Sequence, residues 1–323
     1  MIRYLSLFAC LAFSSAAQNL PIRFQDKAAD GKIEVYAGSE LFTAYLFDSD
    51  HSIKKPVLYP VISPEGNFVS RGWPLDPREG ERTDHPHHIG IWFNHGDVNG
   101  NDFWNNSYER DLTKRHYGII HHTGVKKIKE GKKSGELITT ADWFDFEGKK
   151  LIEEESKYTF SATENLRIID REITLKAATD LLFADNKEGM IALRLAKELE
   201  HADPKVNYTP SGEYTNDLGI KGTEVWGKRS EWMRLTGQIR DENLTVAIFD
   251  HPDNHNFPGH WHARGYGLYA VNNIGSDVFT KGVEVSDISV PEGGKIKFKY
   301  RIIIASKHLT EDEMVEAALQ FQK

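Results

Sequence analysis

Hydrophobic and polar residues alternate with period two along much of this chain. Thr159-Phe160-Ser161 and Arg167–Leu175 carry the pattern most clearly. It is the mark of an antiparallel sheet with one wet face. The same reading predicts strands over 33–36, 41–47, 55–63 (broken by Pro60), 89–93, 118–125, 135–146, 150–161 and 166–176. Further strands are predicted over 181–183, 190–195, 223–228, 230–235, 244–249, 260–271 and 296–305. Glu147-Gly148-Lys149 and Glu164-Asn165 suit turns. Residues 64–83 and 200–223 read as loops, the first ordered around Arg71, Trp73 and Arg78. Thr310-Glu311-Asp312-Glu313 is a capping box that opens a C-terminal helix to about Phe321.

Many strands, frequent turns and one terminal helix predict an all-β protein. No linker and no internal repeat divide it. The expected form is a large antiparallel β-sandwich over residues 18–323, with a galactose-mutarotase-like supersandwich as one version. A β-helix is disfavoured because no repeat period is visible.

The first residues change the picture of where the protein works. Arg3, the apolar run Tyr4–Phe13 and the small residues Ser15-Ala16-Ala17 read as a signal peptide cut before Gln18. The expected location is periplasmic or secreted. Cys10 is the only cysteine and would leave with that peptide, so neither a disulfide nor a thiolate nucleophile is expected. The formal net charge is −8 and no Lys/Arg stripe is present, which argues against nucleic acid. No later apolar run is long enough to span a bilayer. Phosphate-loop, dinucleotide and Gly-x-Ser-x-Gly motifs are absent.

Candidate chemistry concentrates in residues 82–108. His85, His87, His88 and His95 lie there with Asp84, Asp97, Asp102, Trp92 and Trp104. Imidazole titrates near neutral pH and ligates metals. His85, His87 and His88 are therefore candidates for acid/base work or for a divalent metal ion. An extended chain would hold His87 and His95 about 26 Å apart at ~3.3 Å per residue. They share a site only if the chain turns, as Gly90 or Gly96 would permit. A second stretch, Asp250-His251-Pro252 to His260-Trp261-His262-Ala263-Arg264, puts His260, His262 and Arg264 on one strand face. His262 would move protons, Arg264 would hold developing negative charge and Asp250 would orient a histidine. Lys187 and Glu188 stand at a strand entry, and Arg194 interrupts an apolar run, so it is either buried and paired or facing a cleft. Trp92 and Trp104 flank polar residues, as rings that stack on sugars do, and His95, Asp97, Lys187, Glu188 and His260 are candidate substrate contacts.

These stretches together resemble an exported bacterial family of unknown function labelled PmoA-like, or "methane oxygenase PmoA". The carrying residues are Asp84–Phe93, His95–Gly100, Asp102-Phe103-Trp104, Lys187-Glu188-Gly189-Met190, Asp250-His251-Pro252 and His260–Gly267. Ile89 stands where many members have Arg. The resemblance implies a β-sandwich with a polar site, and carbohydrate genes as neighbours in Bacteroidetes-like bacteria. It implies no reaction, because the methane monooxygenase subunit of that name is a transmembrane helical protein. The first expectation is an exported carbohydrate-active enzyme acting on a sugar, glycoside or keto-glycoside by lyase, hydrolase or epimerase chemistry. A non-catalytic glycan-binding protein and a metal-dependent oxygenase are the alternatives.

Overall fold

A computed structural model describes residues 18–47, 53–109, 111–113 and 115–323. The signal-peptide reading falls outside these residues. Two eight-stranded sheets dominate. The first runs, edge to edge, through Ile22–Lys27, Lys32–Ala37, Glu40–Leu46, Val57–Leu58, Ile91–His95, Gly189–Arg194, Leu268–Asn272 and His260–Arg264. The second runs through Glu213–Asn216, Trp232–Ile239, Glu242–Asp250, Lys295–Ala305, Leu166–Ala177, Lys150–Thr163, Ser134–Phe144 and Ile119–Lys129. Every pairing within both sheets is antiparallel. This is the predicted all-β, antiparallel sandwich.

The sheets stack through one apolar core that includes Phe93, Ile191, Leu193, Tyr269 and Trp261 from the first and Trp143, Phe160, Ile169, Phe298 and Ile302 from the second. Ser134–Phe144 alternates buried and half-exposed side chains, as a strand with one wet face must. The C-terminal helix Glu311–Phe321 covers the outer face of the second sheet, with Met314 and Ala318 packed on Trp232, Phe249 and Ile303. Its capping box is formed: Glu313 N–H donates to Thr310 Oγ1, and Thr310 N–H donates to Glu313 Oε2.

Several boundaries differ from the pattern-based reading. Residues 260–271 form a hairpin rather than one strand, turned at Gly265-Tyr266-Gly267, with Gly267 at φ +86°. Only Val57–Leu58 of the expected 55–63 strand pairs as one, and 222–225 is a 3-10 turn. A strand at Ile22–Lys27 and another at Glu213–Asn216 stand where none was expected.

Gly189–Arg194 and Leu268–Asn272 are buried along their whole length. A strand buried on both faces needs cover on both sides. The outer face of the first sheet therefore carries its own packed layer, in which Ile53, Tyr59, Ile89 and Trp104 lie on Trp92, Ala192 and Ala270. The candidate site is built in that layer.

Candidate functional site

The histidine segment is shaped by a turn and two arginines. His88 N–H donates to the carbonyl of His85, closing a turn around Pro86. Arg71, 1% exposed, donates to the carbonyls of Arg82, Asp84, His85 and His88 and to Asp84 Oδ1. Gly90 then turns at φ +52°, where a Cβ would stand 2.1 Å from the Leu58 carbonyl oxygen. The chain can enter Ile91–His95 this way only with glycine.

The result is a column of rings. His85 lies between Tyr266 (centroids 5.1 Å apart, planes 7° apart) and His88 (4.8 Å, 6°). His88 stacks in turn on Trp92 at 5.1 Å. His87 meets His88 edge-on at 4.4 Å. Sheet register extends the site sideways. Trp92 pairs with Ala192, Ala192 with Ala270, and Ala270 with His262. One transverse row therefore holds Trp92 and His262 on the same face, three strands or ~14 Å apart. The two alanines leave room above them for Trp104, 5.2 Å from Trp92 and 6.5 Å from His262. The two histidine motifs thus share a face, with Trp104 between them.

Charge is densely packed here. Asp84 Oδ1 accepts from Arg71 and from Arg194 Nη2, each at 2.7 Å. Burial would raise its carboxyl, but the hydrogen bond from His85 and the charges of Arg194 and Arg71 hold it well below the usual carboxylate range. Arg194, fully buried, also donates through Nη1 to His88 Nδ1 at 3.2 Å. A guanidinium cannot accept, so His88 is the neutral tautomer with its proton on Nε2. Burial, together with the charges of Lys55, Arg71 and Arg194, keeps His87 far below the usual histidine range. Burial, with the charges of Arg194 and Arg71, does the same to His88. Lys55 donates to the His87 carbonyl at 2.8 Å, and burial pushes its ammonium down to about 7.

On the far side of Trp104, His262 Nδ1 lies 3.5 Å from Glu188 Oε2, and Glu188 is paired with Lys187. Burial, then the charges of Lys187 and Arg264, push His262 down to about 3. Arg264 sits over the ring of Trp226 at 4.7 Å. A hollow of about 400 Å³ opens there between Thr223, Trp226, Arg264 and Tyr266. A larger cleft of about 620 Å³ lies beside Lys187 and Glu188, bounded by Asp97, Asp102, Arg115, His116 and Asn186. Among the described residues, His87 Nε2 is buried with no hydrogen-bond partner, as are His95 Nδ1 and His260 Nε2, while the buried His262 Nδ1 faces only the Glu188 carboxylate oxygen.

Other expected site residues lie elsewhere. His95 turns away, its Nε2 bonded to the Ala184 carbonyl and its ring 6.0 Å from Phe183. His260 gives Nδ1–H to the Gly227 carbonyl and stacks on Phe279. Among the described residues, Asp250 hydrogen-bonds to no histidine side chain. It accepts from His251 N–H, Asn254, Gly259 N–H and Asn273, and so ties down the 250–259 loop. Asp97 accepts from Gly100 N–H and borders the cleft. Trp92 and Trp104 are buried and back the histidines instead of presenting a surface to a sugar. Pattern reading did not assign Arg71, Lys55 or Tyr266 to the site, and it left Arg194 open between a salt bridge and a cleft. The signal was present for Arg194, an arginine inside an apolar strand.

A metal does not fit these histidines. Among the described residues, no group of three or more His, Cys, Asp or Glu side chains is arranged to hold an ion. His88 Nδ1 is already occupied by Arg194, and Lys55, Arg71 and Arg194 surround the ring column with positive charge. Nor is any helix among the described residues long and apolar enough to cross a membrane.

Several solved structures have a distant likeness to this chain. The α-galactosidase AgaB of Geobacillus stearothermophilus aligns at TM-score 0.42 and 9% identity, over 88% of this chain and 40% of that one. The α-galactosidase of Lactobacillus brevis aligns at TM-score 0.37 and 10% identity, over 88% and 40%. Slr1438 of Synechocystis aligns at TM-score 0.32 and 11% identity, over 91% and 99%. The chain spans about two fifths of the galactosidases' length. No curated protein matches in sequence. A family profile does match residues 32–319, and the chain belongs to that family, a family of unknown function (DUF6807).

Proposed function

We propose that this protein is an exported carbohydrate-active enzyme that works on a sugar, glycoside or keto-glycoside by proton transfer to and from histidine, in lyase, hydrolase or epimerase chemistry. One observation carries the reading. Histidines held neutral by burial and by neighbouring cations present two buried nitrogens on one sheet face, His87 Nε2 without a partner and His262 Nδ1 facing the Glu188 carboxylate. A neutral imidazole nitrogen takes a proton, and a nearby guanidinium or ammonium stabilises the oxyanion that forms when that proton leaves a carbon beside a carbonyl. His88 plays a different part. Its Nδ1 is held by Arg194, so it donates through Nε2–H and acts as an electrophile. Trp226 and Tyr266 border the hollow at which a sugar ring would sit. Export rests on the first seventeen residues. The PmoA-like resemblance contributes no reaction to this reading.

The near-complete burial of His87, His88 and His262 favours a second reading, a glycan-binding sandwich without catalysis. The test is a screen of the mature chain against glycosides and 3-keto-glycosides, beside His87→Ala and His262→Ala. Turnover that falls at least a hundredfold in both variants, with ligand still bound, is the expected result. Turnover untouched by both substitutions sinks the catalytic assignment, and saturable binding without turnover selects the second reading. Elemental analysis of the untagged protein accompanies it, and one metal per chain lost in both variants would overturn the metal-free route.

A further inference from the structure

The histidine face and its cleft hold cations and carboxylates in near balance. Six cations, Lys55, Arg71, Arg194, Lys187, Arg264 and Arg115, surround the histidine face and its cleft, in a chain of formal net charge −8. Five carboxylates, Asp84, Asp102, Glu188, Asp97 and Asp185, lie in the same region, and each is occupied, Asp97 by the N–H of Gly100 and Asp185 by those of Ser276 and Ser286. Asp84 lies between Arg71 and Arg194. Asp102 takes Arg115 and the N–H groups of Trp104 and Asn105. Glu188 takes Lys187.

Arg264 is left over. Among the described residues, no carboxylate oxygen lies within 4.0 Å of its guanidinium. Its guanidinium lies over the Trp226 ring, and it borders the 400 Å³ hollow beside Tyr266. Its charge also reaches His262, Lys187 and Tyr266, so it stands where the hollow meets the histidine face. A guanidinium on an aromatic face keeps its fork of N–H donors free for a planar, two-oxygen partner. A neutral sugar would displace water from Arg264 and leave the charge unanswered, and that desolvation costs free energy.

We infer that the site takes an acidic sugar, a uronic or aldonic acid, whose carboxylate pairs with Arg264 while the uronic acid's ring, or the aldonic acid's hydroxylated chain, lies in the hollow beside Trp226 and Tyr266. The inference rests on the carbohydrate reading above and narrows it to one substrate class.

Isothermal titration of the mature chain at matched ionic strength tests it. The probes are D-glucuronate, D-galacturonate and D-gluconate, each beside its neutral counterpart, D-glucose, D-galactose and D-glucitol. At least one acid is expected to bind about tenfold more tightly than its counterpart, a preference of ~1.4 kcal/mol. Arg264→Gln should abolish that preference, while Arg264→Lys keeps part of it. An unchanged melting temperature in both variants shows that folding is intact. Neutral sugars binding as well as the acids would overturn the inference and leave the carbohydrate reading standing. A preference that survives Arg264→Gln would overturn the assignment to Arg264. Silence from all six probes would overturn the inference, and the glycoside and 3-keto-glycoside screen then decides the carbohydrate reading by itself.

Discussion

Asp84→Asn tests how the histidine face is held together. Asp84 Oδ1 is the one carboxylate oxygen between two guanidiniums that are 1% and 0% exposed, at 2.7 Å from each. Removing one partner of a buried ion pair costs about 3–5 kcal/mol, because the other charge is left uncompensated. Asp84 itself is 35% exposed, so water recovers part of that loss. The expected cost is therefore ~2–3 kcal/mol, or a fall of about 5 °C in melting temperature for a chain of this size. The pH dependence has a definite sign. The carboxyl is held below its unfolded value, so its contribution is fully present above about pH 4 and is lost as pH falls through the folded value. The gap between wild type and Asp84→Asn should be full at pH 7 and close in acid. Thermal unfolding of wild type, Asp84→Asn, Arg194→Met and the double variant completes a cycle. The double variant should lose less than the sum of the two single losses by about 1 kcal/mol or more. Additive losses, or an Asp84→Asn protein that melts within about 1 °C of wild type, would refute the clamp.

The histidines make a second prediction. With His262 folded at about 3 against about 6.5 unfolded, protons prefer the unfolded chain below neutrality. Stability should fall by up to ~1.4 kcal/mol per pH unit for each such histidine between about pH 6.5 and 4, and NMR should show an uncharged His262 ring at pH 5. A charged ring at that pH counts against the burial argument. Lys55→Met should raise the melting temperature at pH 7, because burial depresses the ammonium and charging it costs stability below its unfolded value. A loss greater than about 1 kcal/mol would mean that the bond to the His87 carbonyl outweighs burial. Gly90→Ala, whose Cβ would meet the Leu58 carbonyl oxygen, should cost more than about 3 kcal/mol or yield no soluble protein, whereas Gly100→Ala, in open space at φ +77°, should cost only ~1 kcal/mol. Equal melting temperatures for the two glycine variants would remove Gly90 as the device that shapes the loop.

The amino-acid sequence alone determined the class of this fold, because period-two alternation states which side chains face inward whatever their partners are. It determined the terminal helix, because a capping box is a local set of hydrogen bonds within four residues. It also singled out both histidine motifs and the shared face of His262 and Arg264, since alternate residues of one strand must point the same way. Only the tertiary structure decided how those motifs meet. Alternation says nothing of which strands are neighbours, and the row Trp92, Ala192, Ala270, His262 draws on four strands spread over 170 positions. Arg194 reaches Asp84 across 110 residues. Arg71, Lys55 and Tyr266 become site residues for the same reason, arriving from a loop, a strand entry and a hairpin turn. His95 and Asp250 show the converse. Each has the chemistry of a site residue, but the fold ties His95 Nε2 to the backbone carbonyl of Ala184 and Asp250 to the donors of the 250–259 loop and Asn273. A side chain's chemistry is a property of the residue, whereas its partners are a property of the packing.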